Sequence, residues 1–150
     1  MTGKRLRVLV VEDQAILAME IELALRDLGH HVVGTATDLA RSLALASTEP
    51  VDFALVDVNL DDGPTGPEIA RRLAAEHGAV VVFLTANPEQ IPEGFAGALG
   101  VMVKPFDEAA LREVVAFAAD FVQAGALGPL PRRFQAAPWL VVPPDQLDAC

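Results

Sequence analysis

The chain has one cysteine, Cys150, so no disulfide can form within it and nothing in its cysteine usage points to an oxidising compartment. No apolar run approaches the roughly 18 residues of a membrane-spanning helix. The run Val8 to Val11 follows Lys4, Arg5 and Arg7 but stops at Glu12-Asp13, too short for the core of a signal peptide. A cytoplasmic protein is the expectation. Basic residues are scarce too: 11 Lys+Arg stand against 21 Asp+Glu, a net charge of −10. That field repels nucleic-acid phosphates, and only Arg71-Arg72 and Arg132-Arg133 run against it. Neither nucleic acid nor a membrane is expected as a partner; divalent cations or basic proteins are the natural counter-charge. No Gly-x-Gly-x-x-Gly follows the first apolar run, which argues against a dinucleotide-binding fold.

What is present is a chain of 150 residues, 52% hydrophobic and 21% charged. This is one ordinary domain with enough apolar surface for a core, and disorder of the whole chain is excluded. Short apolar runs alternate with amphipathic stretches. Leu6–Val11, His31–Ala36, Phe53–Val58, Ala79–Leu84 and Val101–Val103 read as strands. Between them, Leu17, Ile21, Leu25 and Leu28 keep helical spacing before Gly29. Asp38 is placed to cap a helix carrying Leu39, Leu43 and Ala46. Pro67 suits the first turn of a helix that ends at Gly78, and Asp107 caps a last helix running to about Ala124. Residues 87–97 hold Pro88, Pro92, Gly94 and Gly97, so the helix expected there should be short, distorted or mobile. Repeated strand–helix alternation predicts a parallel α/β sheet covered on both faces, with chemistry at the carboxyl ends of its strands.

Those ends carry Glu12-Asp13, Asp57, Thr85 and Lys104-Pro105. Carboxylates that converge repel one another unless a cation neutralises them, and a hard divalent ion such as Mg²⁺ suits a site of two or three carboxylates. A lysine and a hydroxyl beside that ion make a phosphoryl-binding site, with the remaining carboxylate as nucleophile.

The strings Val8-Leu9-Val10-Val11-Glu12-Asp13, Ala54-Leu55-Val56-Asp57-Val58-Asn59-Leu60, Thr85-Ala86 and Lys104-Pro105-Phe106 resemble the receiver domain of two-component response regulators, over roughly residues 5–124. The resemblance implies a doubly wound (βα)5 fold with flavodoxin-like strand order 2-1-3-4-5. It implies that Asp57 is the phosphoacceptor for a histidine kinase or histidine phosphotransfer protein. Asp13, Glu12, Asp57 and the Asn59 carbonyl would hold Mg²⁺. Lys104, Thr85 and the Ala86 N–H would contact the phosphoryl group, and the Lys104-Pro105 bond would be cis, aiming the lysine. Two departures stand out. Val101 takes a position that is aromatic in many relatives, and the interval from Thr85 to Lys104 is a few residues short, which predicts a remodelled face around the fourth helix.

Other readings stay beside this one. For Asn59 and Asn87 the resemblance implies an influence on access of hydrolytic water; the other reading is ordinary loop asparagines. His30, His31 and His77 read as helix-end or exposed residues rather than metal ligands. Phe117, Phe121 and Val122 extend the last helix's apolar surface, for core packing or for a homodimer face. Residues 125–150 hold five of the eleven prolines and Trp139. They read as a loosely attached tail without an output domain, or as a segment whose Phe134 and Trp139-Leu140-Val141-Val142 pack on the domain or on a partner. The expected function is a stand-alone phosphorylatable switch acting by protein contact, not a turnover enzyme. The alternatives are a phosphate sink or kinase regulator, a receiver that works without phosphorylation, or a Mg²⁺-dependent aspartyl-phosphate phosphatase. The last is weakened because Asn59 stands where that class has a second acid.

Overall fold

The computed structural model describes residues 5–125 and 127–140. In chain order the elements are β1 (Arg7–Val11), α1 (Ala15–Asp27), β2 (His31–Ala36), α2 (Leu39–Ala46), β3 (Phe53–Asp57), α3 (Gly66–His77), β4 (Val80–Thr85), β5 (Gly100–Val103), α4 (Glu108–Ala124) and β6 (Phe134–Ala136). The sheet order is β2-β1-β3-β4-β5-β6. The first five strands are parallel, in the order the resemblance implied; β6 adds antiparallel to the free edge of β5.

Strand periodicity divides the core. Val8 and Val10 of β1 face a cluster with Ile21 and Leu25 of α1 and Leu111, Val114 and Val115 of α4. Leu9 and Val11 face the opposite cluster, with Leu45 of α2 and Ile69 and Leu73 of α3. Burial on both faces explains why the strands read as continuous apolar runs rather than alternating ones. The helix starts follow the sequence: Asp38 accepts from the Arg41 N–H and Asp107 from the Ala110 N–H, both at 2.8 Å. Gly78 and Gly125 end α3 and α4 in the left-handed conformation.

Three features sharpen these expectations. Between β4 and β5 there is no α-helix, only two short 3-10 turns, Pro88–Gln90 and Glu93–Gly97. Within the second turn Gly94, Phe95 and Ala96 all have positive φ, so the chain winds left-handed where Pro and Gly have broken the right-handed helix. Among the described residues, β6 joins the five expected parallel strands as a sixth. Most of the described part of the C-terminal segment is attached rather than loose. Phe134 and Ala137 are buried, Leu127, Leu130 and Leu140 pack against the core, and the Trp139 indole donates to the Ala98 carbonyl at 2.8 Å. Val141, Val142 and Cys150 lie outside the described residues. Part of the surplus apolar surface of α4 meets the same segment, where the Phe117 and Phe134 rings stand 5.2 Å apart; Phe121 and Val122 are partly buried against the core cluster. Val101 is fully buried among Ile91, Ala98 and Phe83, filling a place in the core rather than a surface switch position.

Candidate functional site

Four strand ends deliver the site. β1 runs into Glu12 and Asp13, β3 ends on Asp57, β4 ends on Thr85, and β5 leads through Val103 into Lys104. Parallel register aligns those ends, with Val11 beside Val56, Asp57 beside Leu84 and Thr85 beside Val103. The Lys104 N–H donates to the Thr85 carbonyl at 2.9 Å, and the Lys104–Pro105 bond is cis, as the resemblance implied. Behind Asp57, α3 begins very close to the strand. A Cβ on Gly66 would stand 2.2 Å from the Asp57 carbonyl oxygen, so only glycine permits this approach.

Glu12, Asp57 and Thr85 are buried, whereas Asp13 is half-buried. One carboxylate oxygen from each of Glu12, Asp13 and Asp57 falls within 4.8 Å of the others. The Lys104 ammonium donates to Glu12 Oε1 at 3.0 Å and to Asp57 Oδ2 at 3.2 Å. The Gln14 N–H donates to Glu12 Oε2 at 3.1 Å, and the Asn59 N–H reaches Asp57 Oδ1 at 3.4 Å. Thr85 Oγ1 accepts from the Asn87 N–H at 3.0 Å.

One lysine faces three carboxylates, and the electrostatics show the deficit. Burial, helped by the nearby Asp57, raises the Glu12 carboxyl from 4.5 to about 7, against the pull of Gln14 and Lys104. Burial acts downward on the Lys104 ammonium, but Glu12 and Asp57 together hold it above its usual value. The cluster therefore has room for more positive charge. Hard carboxylate oxygens at this spacing fit a hard divalent cation.

Glu12, Asp13, Asp57, Thr85, Lys104 and Pro105 thus come together at one edge. Ala86 sits exposed in the bend after Thr85, and Asn59 is exposed with its amide donating to Gln90 Oε1 at 2.9 Å. The roles of Gln14, Gly66 and Gln90 were not anticipated. Gly66 next to Pro67 was the one readable signal, a small residue at a helix start beside the acid-bearing strand.

Residues 8–116 match the family model of the response regulator receiver domain. The chain belongs to that family. The receiver is 30% identical over 119 residues to the phyllosphere-induced regulator PhyR of Methylorubrum extorquens, covering 78% of this chain and 45% of that protein. It therefore spans about half of PhyR's length. It is 29% identical over 117 residues to the chemotaxis protein CheY-3 of Vibrio cholerae, covering 74% of this chain and 89% of that one. The solution structure of the Erythrobacter litoralis PhyR receiver domain superposes with a TM-score of 0.70 at 28% identity, covering 83% of this receiver and 96% of that chain. These relatives are bacterial response regulators.

Proposed function

We propose that the receiver accepts a phosphoryl group on Asp57 from the phosphohistidine of a sensor histidine kinase or histidine phosphotransfer protein, in the cytoplasm, and signals by protein contact. The observation that carries this reading is the half-buried lysine bridging the buried carboxylates of Glu12 and Asp57 inside a cluster that is still short of positive charge. Glu12, Asp13, Asp57 and the Asn59 carbonyl would hold Mg²⁺. When bound, the ion supplies charge neutralisation for the crowded oxygens.

An Asp57 carboxylate oxygen attacks phosphorus, the P–N bond breaks, and its electron pair returns to the donor imidazole. Lys104 exchanges its contact with the carboxylates for the phosphoryl oxygens. Thr85 gives up the Asn87 N–H and turns its hydroxyl toward the same oxygens, and the Ala86 N–H donates as well. Hydrolysis later restores the carboxylate and releases inorganic phosphate. In this cycle Asp57, Thr85 and Lys104 act on the reacting group, and no other substrate is turned over.

A surface for the phosphodonor adjoins the site. Ile16, Met19 and Leu23 form an exposed stripe on α1, 77%, 61% and 60% accessible. Large apolar side chains left wet in a row mark a protein contact. Beside the stripe, a groove of about 630 Å³ includes Leu17, Glu20 and Phe106 and reaches Lys104.

Incubation of the chain with acetyl phosphate and Mg²⁺ is expected to add one phosphoryl group by intact mass, and Asp57→Asn is expected to abolish the gain. A variant that is still labelled would overturn the assignment.

A further inference from the structure

The segment after α4 is built onto β5 with care. Gly100 lies opposite Ala136, Val101 opposite Gln135 and Met102 opposite Phe134. The Val103 N–H donates to the Arg133 carbonyl at 2.8 Å and the Ala137 N–H to the Leu99 carbonyl at 2.9 Å. Gly100 is fitted to the contact. A Cβ there would stand 2.4 Å from both the Gln135 carbonyl oxygen and Phe134 Cζ, and the three atoms nearest to it all belong to this segment. Its φ is not positive, so glycine is needed for the close approach and not for backbone freedom.

The same segment is coupled to the site through two adjacent amides. The Lys104 N–H is bonded to Thr85 on the β4 side, while the Val103 N–H is bonded to Arg133 on the other. A pull on Lys104 and Thr85 therefore acts on the last bond between β5 and the segment. That bond is made by Arg133, whose φ of 64° lies in the region side-chain-bearing residues disfavour. A cavity of about 350 Å³ bordered by Pro105, Phe106, Arg132 and Arg133 leaves the lysine loop room to shift. Trp139, at the far end, is 46% exposed and holds by its indole N–H.

We propose that residues 127–140 form a releasable strap. While Asp57 is unmodified, the strap occupies the β5 edge and the Phe117 face of α4; modification of Asp57 frees both. The freed edge takes an extended partner segment as its next strand, with an aromatic side chain in the place of Phe134. The strap itself shows the chemistry of that partner, because it already satisfies the backbone groups of β5 and fills the pocket beside Phe117. This inference rests on the phosphoacceptor reading.

The test uses the full chain with beryllofluoride and Mg²⁺. Fluorine NMR reports the bound ion, hydrogen exchange reports the Val103 and Ala137 amides, and fluorescence reports Trp139, the sole tryptophan. On saturation the two amides are expected to lose protection at least about tenfold while β1 and β3 keep theirs, and Trp139 emission shifts to the red. Coupling is reciprocal, so releasing the strap by mutation must strengthen ion binding, by about fivefold or more. Gly100→Ala does this from the sheet side, and Phe134→Ser does it from the strap side should the first variant fail to fold. Bound ion with both amides still protected overturns the strap, as does wild-type affinity in variants whose strap amides exchange freely. Absence of any bound fluoride signal in the wild type overturns the phosphoacceptor reading instead, and the strap with it.

Discussion

Replacing Glu12 by Gln separates the site's cost from its use. The Glu12 side chain is fully buried, and its carboxyl titrates near 7 rather than 4.5. An acid whose folded value lies above its unfolded value favours folding when protonated. Its contribution is full below about pH 4.5 and is lost as pH rises through about 7. Above that, the ionised group costs on the order of 3 kcal/mol. Glutamine cannot ionise; its single oxygen replaces one of the two acceptors used by Lys104 and Gln14, and the lost second bond offsets part of the gain. In metal-free buffer at pH 8 the variant is expected to be more stable than the parent by about 1–3 kcal/mol, or roughly 2–10 °C in Tm for a domain of this size. Added Mg²⁺ is expected to reverse the order, since it stabilises the parent and has lost a ligand in the variant. Urea unfolding at pH 5 to 8, with EDTA and with Mg²⁺, reads both effects. A glutamine variant less stable than the parent at pH 8 in EDTA would refute the charge-deficit argument.

Lys104→Ala leaves Glu12 and Asp57 buried without their cation and is expected to cost about 3–5 kcal/mol in metal-free protein at pH 8. The loss shrinks at pH 6, where Glu12 holds a proton; an equal loss at both pH values, by denaturant titration, speaks against an electrostatic origin. Gly66→Ala drives a methyl into the Asp57 backbone and is expected to destabilise by about 1–3 kcal/mol while slowing acetyl-phosphate labelling. The double variant Ile16→Ser, Met19→Ser should lose about tenfold or more in transfer from the cognate kinase yet label normally with acetyl phosphate; parallel losses in both assays remove α1 as the docking surface. His30 accepts the Leu6 N–H at 3.1 Å, and burial holds its imidazole below 6.5. Its contribution to stability is present above pH 6.5 and is lost as pH falls, so His30→Gln should flatten the acid side of the stability curve.

The site was legible because each member closes an apolar run, and the parallel sheet converts those run endings into one edge. Glu12, Asp57, Thr85 and Lys104 needed only strand assignment to be brought together. The strap was not legible in the same way. Phe134-Gln135-Ala136 is too short to show alternation, prolines stand on both sides of it, and antiparallel pairing with a distant edge leaves no local mark. The break in the fourth helix could be read from Pro88, Pro92, Gly94 and Gly97. Its left-handed winding could not, because Phe95 and Ala96 have no intrinsic preference for positive φ; their packing against the second core cluster accompanies it. The grip of Gln14 on Glu12 is a backbone contact, to which side-chain identity gives no clue.

The missing helix also bears on heat. Thr85 and Lys104 flank the stretch with the least regular backbone bonding between any two neighbouring parallel strands, while Asp57 lies between two well-paired ones. Partial melting starts where cooperative bonding is thinnest. On warming, the hydroxyl and the ammonium should therefore drift from their stations while the acidic half of the site still stands, and the molecule should go silent several degrees before it comes apart.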